Sequence, residues 1–149
     1  MRKKILIIVL LILAVAIMYG VKEFYRTRDD SKMITAKFKV TSIDILKEFE
    51  TDEVAASNKY KGQDLVIAVT GAIKEVKLDE KGYATILLGE ENAMSSVVCA
   101  MDTLYTKDVS NLKSPTVVTI KGKFNGYNKD ETGLLGSDIQ MNMCVLDQQ

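Results

Sequence analysis

The sequence predicts a mainly β fold with some helix: a five-stranded Greek-key barrel, preceded by an amphipathic helix and, before that, an apolar N-terminal segment. Three observations predict it. Apolar residues recur at helical spacing between Thr41 and Tyr60, then change to a period of two beyond Gly62. The first β-rich run, Leu65 to Leu78, is long and has Gly71 in its middle. A short helical stretch after Asp102 then separates the third strand from the fourth. A chain of 149 residues is one domain's length. Residues 1–21 are expected to be a membrane segment, 22–41 a stalk and 42–149 the barrel domain.

Arg2-Lys3-Lys4 precede Ile5 to Val21, a run without charge. As a helix it spans roughly 25 Å at about 1.5 Å per residue. Lys22 to Tyr25, with a basic stem that can snorkel, bring it near the ~30 Å of a hydrocarbon core. Tyr19, Phe24 and Tyr25 then fall at the outer interface. Two readings compete: a retained signal anchor, or cleavage after Ala14-Val15-Ala16 with release of the mature protein. The residues after Ala16 stay apolar where a polar flank is usual, which favours the anchor. Without a Cys near the run, a lipoprotein acyl anchor is excluded. A short basic head before a long body argues for a single pass with the domain in the periplasm or outside the cell, although Lys22, Arg26, Arg28 and Lys32 beyond the span dilute the charge bias.

Lys22 to Lys32 is charged and lacks an apolar period, as a stalk would. Ile34, Ala36, Phe38 and Val40 alternate with Thr35, Lys37 and Lys39, the mark of a short extended segment. Thr41-Ser42-Ile43-Asp44 fits a capping box, and Ile43, Leu46, Phe49, Val54 and Ala55 give one helix its buried stripe up to Tyr60. Gly62 is the expected left-handed stop. In Leu65–Leu78 the inward set is Ile67, Val69 and Ile73, shifting parity to Val76 and Leu78, as a bulge after Gly71 would produce. Asp79-Glu80-Lys81-Gly82 is a hairpin turn with Gly82 supplying positive φ. Tyr83–Leu88 returns as the second strand, Ser96–Met101 is the third, Thr116–Phe124 the fourth and Ile139–Leu146 the fifth. Gly122 and Gly126 read as flexible points, and Asn125–Ser137 as a polar loop. A long bent first strand, with a helix between strands three and four, is the plan of an OB barrel, which closes on itself.

Leu46-x-x-Phe49, Ala55-Ala56-x-x-x-Tyr60-Lys61-Gly62 and Val69-Thr70-Gly71-x-Ile73-x-x-Val76 resemble the tRNA-anticodon-binding-like OB family. Val97-Val98-Cys99, Val118 to Lys123 and Cys144-Val145-Leu146 resemble that family's later strands. The resemblance implies a small bacterial domain, exported and tethered, of unknown function. Its motifs are structural, so it speaks for fold and not for activity. Phe124 stands where members often carry a Cys.

Chemistry is narrowed mostly by what is missing. Without His there is no His-based triad, His general base or ordinary catalytic zinc site. Asp79-Glu80 and Glu90-Glu91 are solvated turn charges, and no Gly-rich phosphate loop runs from strand to helix. No catalytic residue, metal or cofactor is expected. Cys99 and Cys144 lie on strands that neighbour each other in an OB barrel and are a candidate disulfide. Strict alternation, with Met141, Met143 and Val145 inward, instead points Cys144 outward; two small apolar core residues are the alternative.

Tyr83 is the best stacking platform, with Thr85 on the same face of its strand, Phe124 and Tyr127 near the end of the fourth strand, and Lys129 in the long loop. Strands two and three carry no Lys or Arg, and beyond the basic head the chain has 17 basic against 20 acidic residues. Such a surface repels phosphates, so nucleic acid is an unfavoured ligand. The expected function is a non-catalytic, membrane-anchored extracytoplasmic binding or interaction module. Tyr83, the Asp79–Gly82 turn and the Asn125–Ser137 loop would face a protein or glycan partner. The alternatives are single-stranded nucleic-acid binding and a structural envelope-assembly domain.

Overall fold

The computed structural model describes residues 12–21, 35–62, 65–109 and 112–147. The chain divides into two units, Met1–Asp30 and Ser31–Gln149. In the first, residues 12–21 are helical and exposed. Among the described residues no helix is long and apolar enough to cross a membrane. Much of the anchor expected over 1–21, and the stalk over Lys22–Lys32, lie outside the described residues.

The second unit begins with β1, Phe38–Thr41. Thr41 then caps α1, Ser42–Thr51: its hydroxyl accepts from Asp44 N at 3.1 Å and donates to Asp44 Oδ2 at 2.7 Å. The reciprocal bond of this cap runs between the side chains. The single helix expected up to Tyr60 is in fact two. Asp52 (φ −151°, ψ 92°) breaks the turn, and its carboxylate accepts from Ala55 N at 3.0 Å to start α2, Glu53–Tyr60. The break resets the helical phase. Ile45, Leu46, Phe49, Ala56 and Tyr60 are buried, whereas Ile43 and Val54, expected in the stripe, are 51% and 71% exposed. α2 ends at Lys61 with extended backbone (φ −81°, ψ 123°), so Gly62 is not the left-handed stop expected of it.

The strands are β2 (Ile67–Leu78), β3 (Ala84–Leu88), β4 (Ser96–Met101), β5 (Val117–Asn128) and β6 (Asp138–Leu146). A 3-10 helix, Thr103–Asp108, capped by Asp102 Oδ1 on Leu104 N at 3.0 Å, follows β4. The first half of β2 pairs with β5 (Ile67↔Gly122 to Ala72↔Val117) and its second half with β3 (Ile73↔Leu88 to Leu78↔Ala84). β3 pairs with β4, β4 runs parallel to β6, and β6 pairs with β5. This closes a five-strand barrel of OB topology, with β1 added parallel to β2. Ile67, Val69, Ile73, Ile86, Leu88, Val97, Ile120, Ile139 and Met141 fill it, each at most 2% exposed. Leu78, expected inward, is 58% exposed at the hairpin's far end.

Two glycines are needed for close approach. The β2 bulge lies between Ile73 and Glu75, beyond Gly71. A Cβ at Gly71 would come within 2.5 Å of Ser42 Oγ and 3.3 Å of Leu88 Cβ. The residue therefore lets the start of α1 sit on the barrel. A Cβ at Gly122 would stand 2.6 Å from Cys144 Sγ, so this position is filled by a neighbour and is not a flexible point. Gly126 falls inside β5, because that strand runs four residues past its expected end at Phe124.

Cys144 faces inward, against the alternation argument. A register shift between Cys99 and Met101, with Met143 at φ 50°, turns Cys144 and Val145 into the core and leaves Met143 51% exposed. Cys99 and Cys144 are free, buried thiols on adjacent strands. Burial, and then the Cys99 thiol beside it, push the Cys144 thiol well above its usual range.

Candidate binding face of the barrel

An OB barrel presents ligands to its second and third strands and the loops beside them, here β3 and β4. Ala84, Ile86 and Leu88 point into the core, which turns Thr85 and Leu87 outward. Thr85 lies opposite Lys77 and Ala100, and Leu87 opposite Glu75 and Val98. This lane is of mixed charge, with Lys77 Nζ paired to Glu75 Oε2 at 3.2 Å.

Each end of the lane is closed by a fixed turn. At one end, Asp79 Oδ1 accepts from Lys81 N at 2.9 Å and Tyr83 N at 2.7 Å, and Gly82 takes φ +80°, as the sequence predicts. Tyr83 precedes β3 instead of starting it and is 49% exposed. At the other end, the loop between β5 and β6 folds around Asp130. Its Oδ1 accepts from Thr132 N at 2.9 Å and Thr132 Oγ1 at 2.5 Å; its Oδ2 accepts from Leu135 N at 2.6 Å and Gly136 N at 3.0 Å. The Thr132 hydroxyl first, then the backbone N–H of Leu135, hold the Asp130 carboxyl far below the usual range. Because Ser96 pairs with Asp138, and Leu88 with Val97, this loop arrives at the end of β3 away from Tyr83. The two ends are separated by the length of β3, about 13 Å at ~3.3 Å per residue.

The structure divides the residues singled out in the sequence. Tyr83 and Thr85 belong to the hairpin end of the lane. Phe124 and Tyr127 each turn a ring face to Phe49, with centroids 5.1 Å and 4.9 Å apart, and these contacts brace α1 on the barrel. Lys129 shares a hollow of about 340 Å³ with Tyr127, Glu50 and Met94. Three residues that pattern reading missed organise the loop end. Asp130 is one; its signal was legible as Asp with Thr two residues on and Gly beyond, an Asx-turn composition. Lys74 is another. Its ammonium donates to Ala93 O at 2.5 Å, Ser96 Oγ at 2.8 Å and Ser95 O at 3.3 Å, tying β2 to the loop before β4. Met94 is the third, 63% exposed on that loop. Beside them, burial raises the Asp138 carboxyl above its usual value, with Lys74 opposing.

A separate hollow of about 610 Å³ lies between β1, α1 and α2. On its wall Glu48 accepts from Lys59 Nζ at 2.7 Å and from Tyr60 OH at 2.8 Å, while Lys59 Nζ sits 4.8 Å from the Tyr60 ring centroid. Among the described residues, no group of three or more metal-ligating side chains is gathered.

A closed OB barrel with an open strand face and two braced loops defines a binding class of domain. The chain belongs to the tRNA_anti-like family, whose model matches residues 1–137. A comparison with curated proteins found no match. Among solved structures, the chain is similar to a lipoprotein of Klebsiella pneumoniae subsp. pneumoniae whose name proposes nucleic-acid binding. The two share 17% identity at a TM-score of 0.54, over 73% of this chain and 91% of that one; at this identity the likeness shows the fold. A weaker likeness, TM-score 0.40 and 14% identity, is to asparaginyl-tRNA synthetase of Entamoeba histolytica in complex with asparaginyl-adenylate. It covers 59% of this chain and only 22% of the synthetase.

Proposed function

We propose that this protein is a non-catalytic binding module, held to a membrane by its N-terminal segment, that receives an extended protein or glycan chain outside the cytoplasm. The observation that carries the reading is the open β3–β4 lane with a braced turn at each end. The lane's charge is mixed, and β3 and β4 contain no Lys or Arg, which favours a protein or glycan over a phosphate backbone. The tether rests on the uncharged run Ile5 to Val21 behind Arg2-Lys3-Lys4; cleavage after Ala16 is the alternative. Tyr83 and Thr85 at one end, and Lys129 with the Tyr127 edge at the other, are the assigned contacts. In an oxidising compartment Cys99 and Cys144 close as a disulfide, and the mass of the exported protein, lower by two hydrogens, checks this. The module is tested by alanine at Tyr83 and at Lys129: partner capture is expected to weaken with no fall in melting temperature. Undiminished capture by both variants contradicts the assignment.

Single-stranded nucleic acid is the second reading, favoured by family membership and by the name of the Klebsiella relative. It requires an affinity that falls steeply with salt. A flat salt response, or no binding at low salt, removes it.

A further inference from the structure

Large apolar side chains are exposed together at the loop end of the barrel. Leu134 and Leu135 are 73% and 82% exposed, Met94 63%, and Ile43 at the start of α1 51%. Three hollows adjoin at Met94: one is shared with Tyr127 and Lys129, a second of about 380 Å³ with Ile43 and Glu90, and a third of about 440 Å³ with Leu87, Glu91 and Leu135. The exposure is built in. Asp130 binds the backbone of the leucine loop, and Ser137 N donates to Ser95 Oγ at 3.1 Å. Gly136, at φ +80°, packs so closely on Met94 and Ser95 that a Cβ there would strike their backbone. Lys74 fixes the Met94 loop from below. Hydrogen bonds that hold leucines out in water pre-organise a contact surface and lower the ordering cost of binding.

Charge selects the occupant. The hollows are rimmed by Glu50, Glu90, Glu91, Glu75 and Asp138. Against these stand Lys47, Lys129, Lys77, which is paired to Glu75 at 3.2 Å, and Lys74, which already donates to Ala93 O, Ser95 O and Ser96 Oγ. The acidic surplus therefore rests on Glu50, Glu90, Glu91 and Asp138. The geometry points to a docking surface for a basic amphipathic polypeptide, whose apolar side chains seat around Met94 and Leu135 while its Lys or Arg meet the acidic rim. This inference rests on the reading of the domain as a protein-binding module and extends its contact surface from the Leu87 end of the β3–β4 lane across the loop end of the barrel.

The test uses the full chain in neutral-lipid nanodiscs, titrated with a synthetic lysine–leucine peptide of helical spacing and with its glutamate–leucine counterpart. The methyl signals of Met94, Leu134 and Leu135 are expected to shift and saturate with the lysine peptide and to stay in place with the other. Glu90→Lys with Glu91→Lys is expected to weaken binding about tenfold, and Leu135→Asp to abolish it. Unmoved methyls, equal response to both peptides, or binding unchanged in these variants overturns the proposal. So do contacts between these methyls and lipid chains before peptide is added, since the surface would then be a membrane contact. Partner capture through Tyr83 is read separately, so the loop surface can fail while the broader reading stands.

Discussion

At Gly71 a single methyl group is excluded by Ser42, 2% exposed where α1 meets the barrel. Gly71→Ala is therefore expected to cost about 1–3 kcal/mol by overpacking. Gly126→Ala, whose Cβ meets nothing within 4 Å and whose φ is not positive, should cost nothing measurable. Urea unfolding of the two variants separates these outcomes. Tyr60 has a pH signature. Burial raises its phenol, so the folded chain holds that proton more tightly than the unfolded one. Its contribution is complete below the unfolded value near pH 10 and is lost as pH rises through the raised folded value. Lys59, raised mainly by its hydrogen bond to Glu48, has the same sign. Glu48, lowered mainly by Lys59, has the opposite one: its contribution is present above 4.5 and lost as pH falls through its folded value. Tyr60→Phe keeps the ring contacts and removes one hydrogen bond. It should cost about 1 kcal/mol at neutral pH and flatten the alkaline decline to the part left by Lys59 and by the buried Cys144 thiol, which is also raised, as read from urea midpoints across pH.

Among the elements, α1 is the wedge that completes the barrel. Phe49 carries it, 1% exposed, with its ring against Phe124, Tyr127 and Tyr60. Phe49→Ala should cost about 3–5 kcal/mol, and Asp52→Ala, which removes the cap of α2, about 1 kcal/mol; calorimetry ranks the two. Period-two runs and the Asp79–Gly82 turn made β2, β3 and β4 legible, because each strand buries one face and tight turns have a narrow chemistry. The helix break at Asp52 was not. Asp caps a helix as readily as it rides on one, and which it does depends on the barrel beneath. The inward turn of Cys144 depends on an extra residue that its own strand, β6, takes in opposite Ala100, with Met143 at φ 50°, and strict alternation does not mark where a strand takes in such a residue. The aromatic residues near the end of β5 were visible as residues but not as braces for α1, since that contact joins segments some 75 residues apart, Phe49 and Phe124.

For the molecule as a whole, closure by β2 matters most. One ribbon serves β5 with its first half and β3 with its second, which fixes the lane, its two braced ends and the apolar loop surface as parts of one frame. The sequence made this frame legible through the long run about Gly71, but the loop surface was hidden because Lys74, Asp130 and Gly136 act on it through hydrogen bonds between distant segments. The role assigned to the lane is tested most directly by photo-crosslinking in intact cells, with the crosslinking side chain placed in turn at Thr85, at Lys129 and at Asn58 on the exposed side of α2. Adducts of the same mass at Thr85 and Lys129, degraded by protease or glycosidase and absent at Asn58, are the predicted result. Adducts removed by nuclease, or adducts at Asn58 with none at the other two positions, would contradict it.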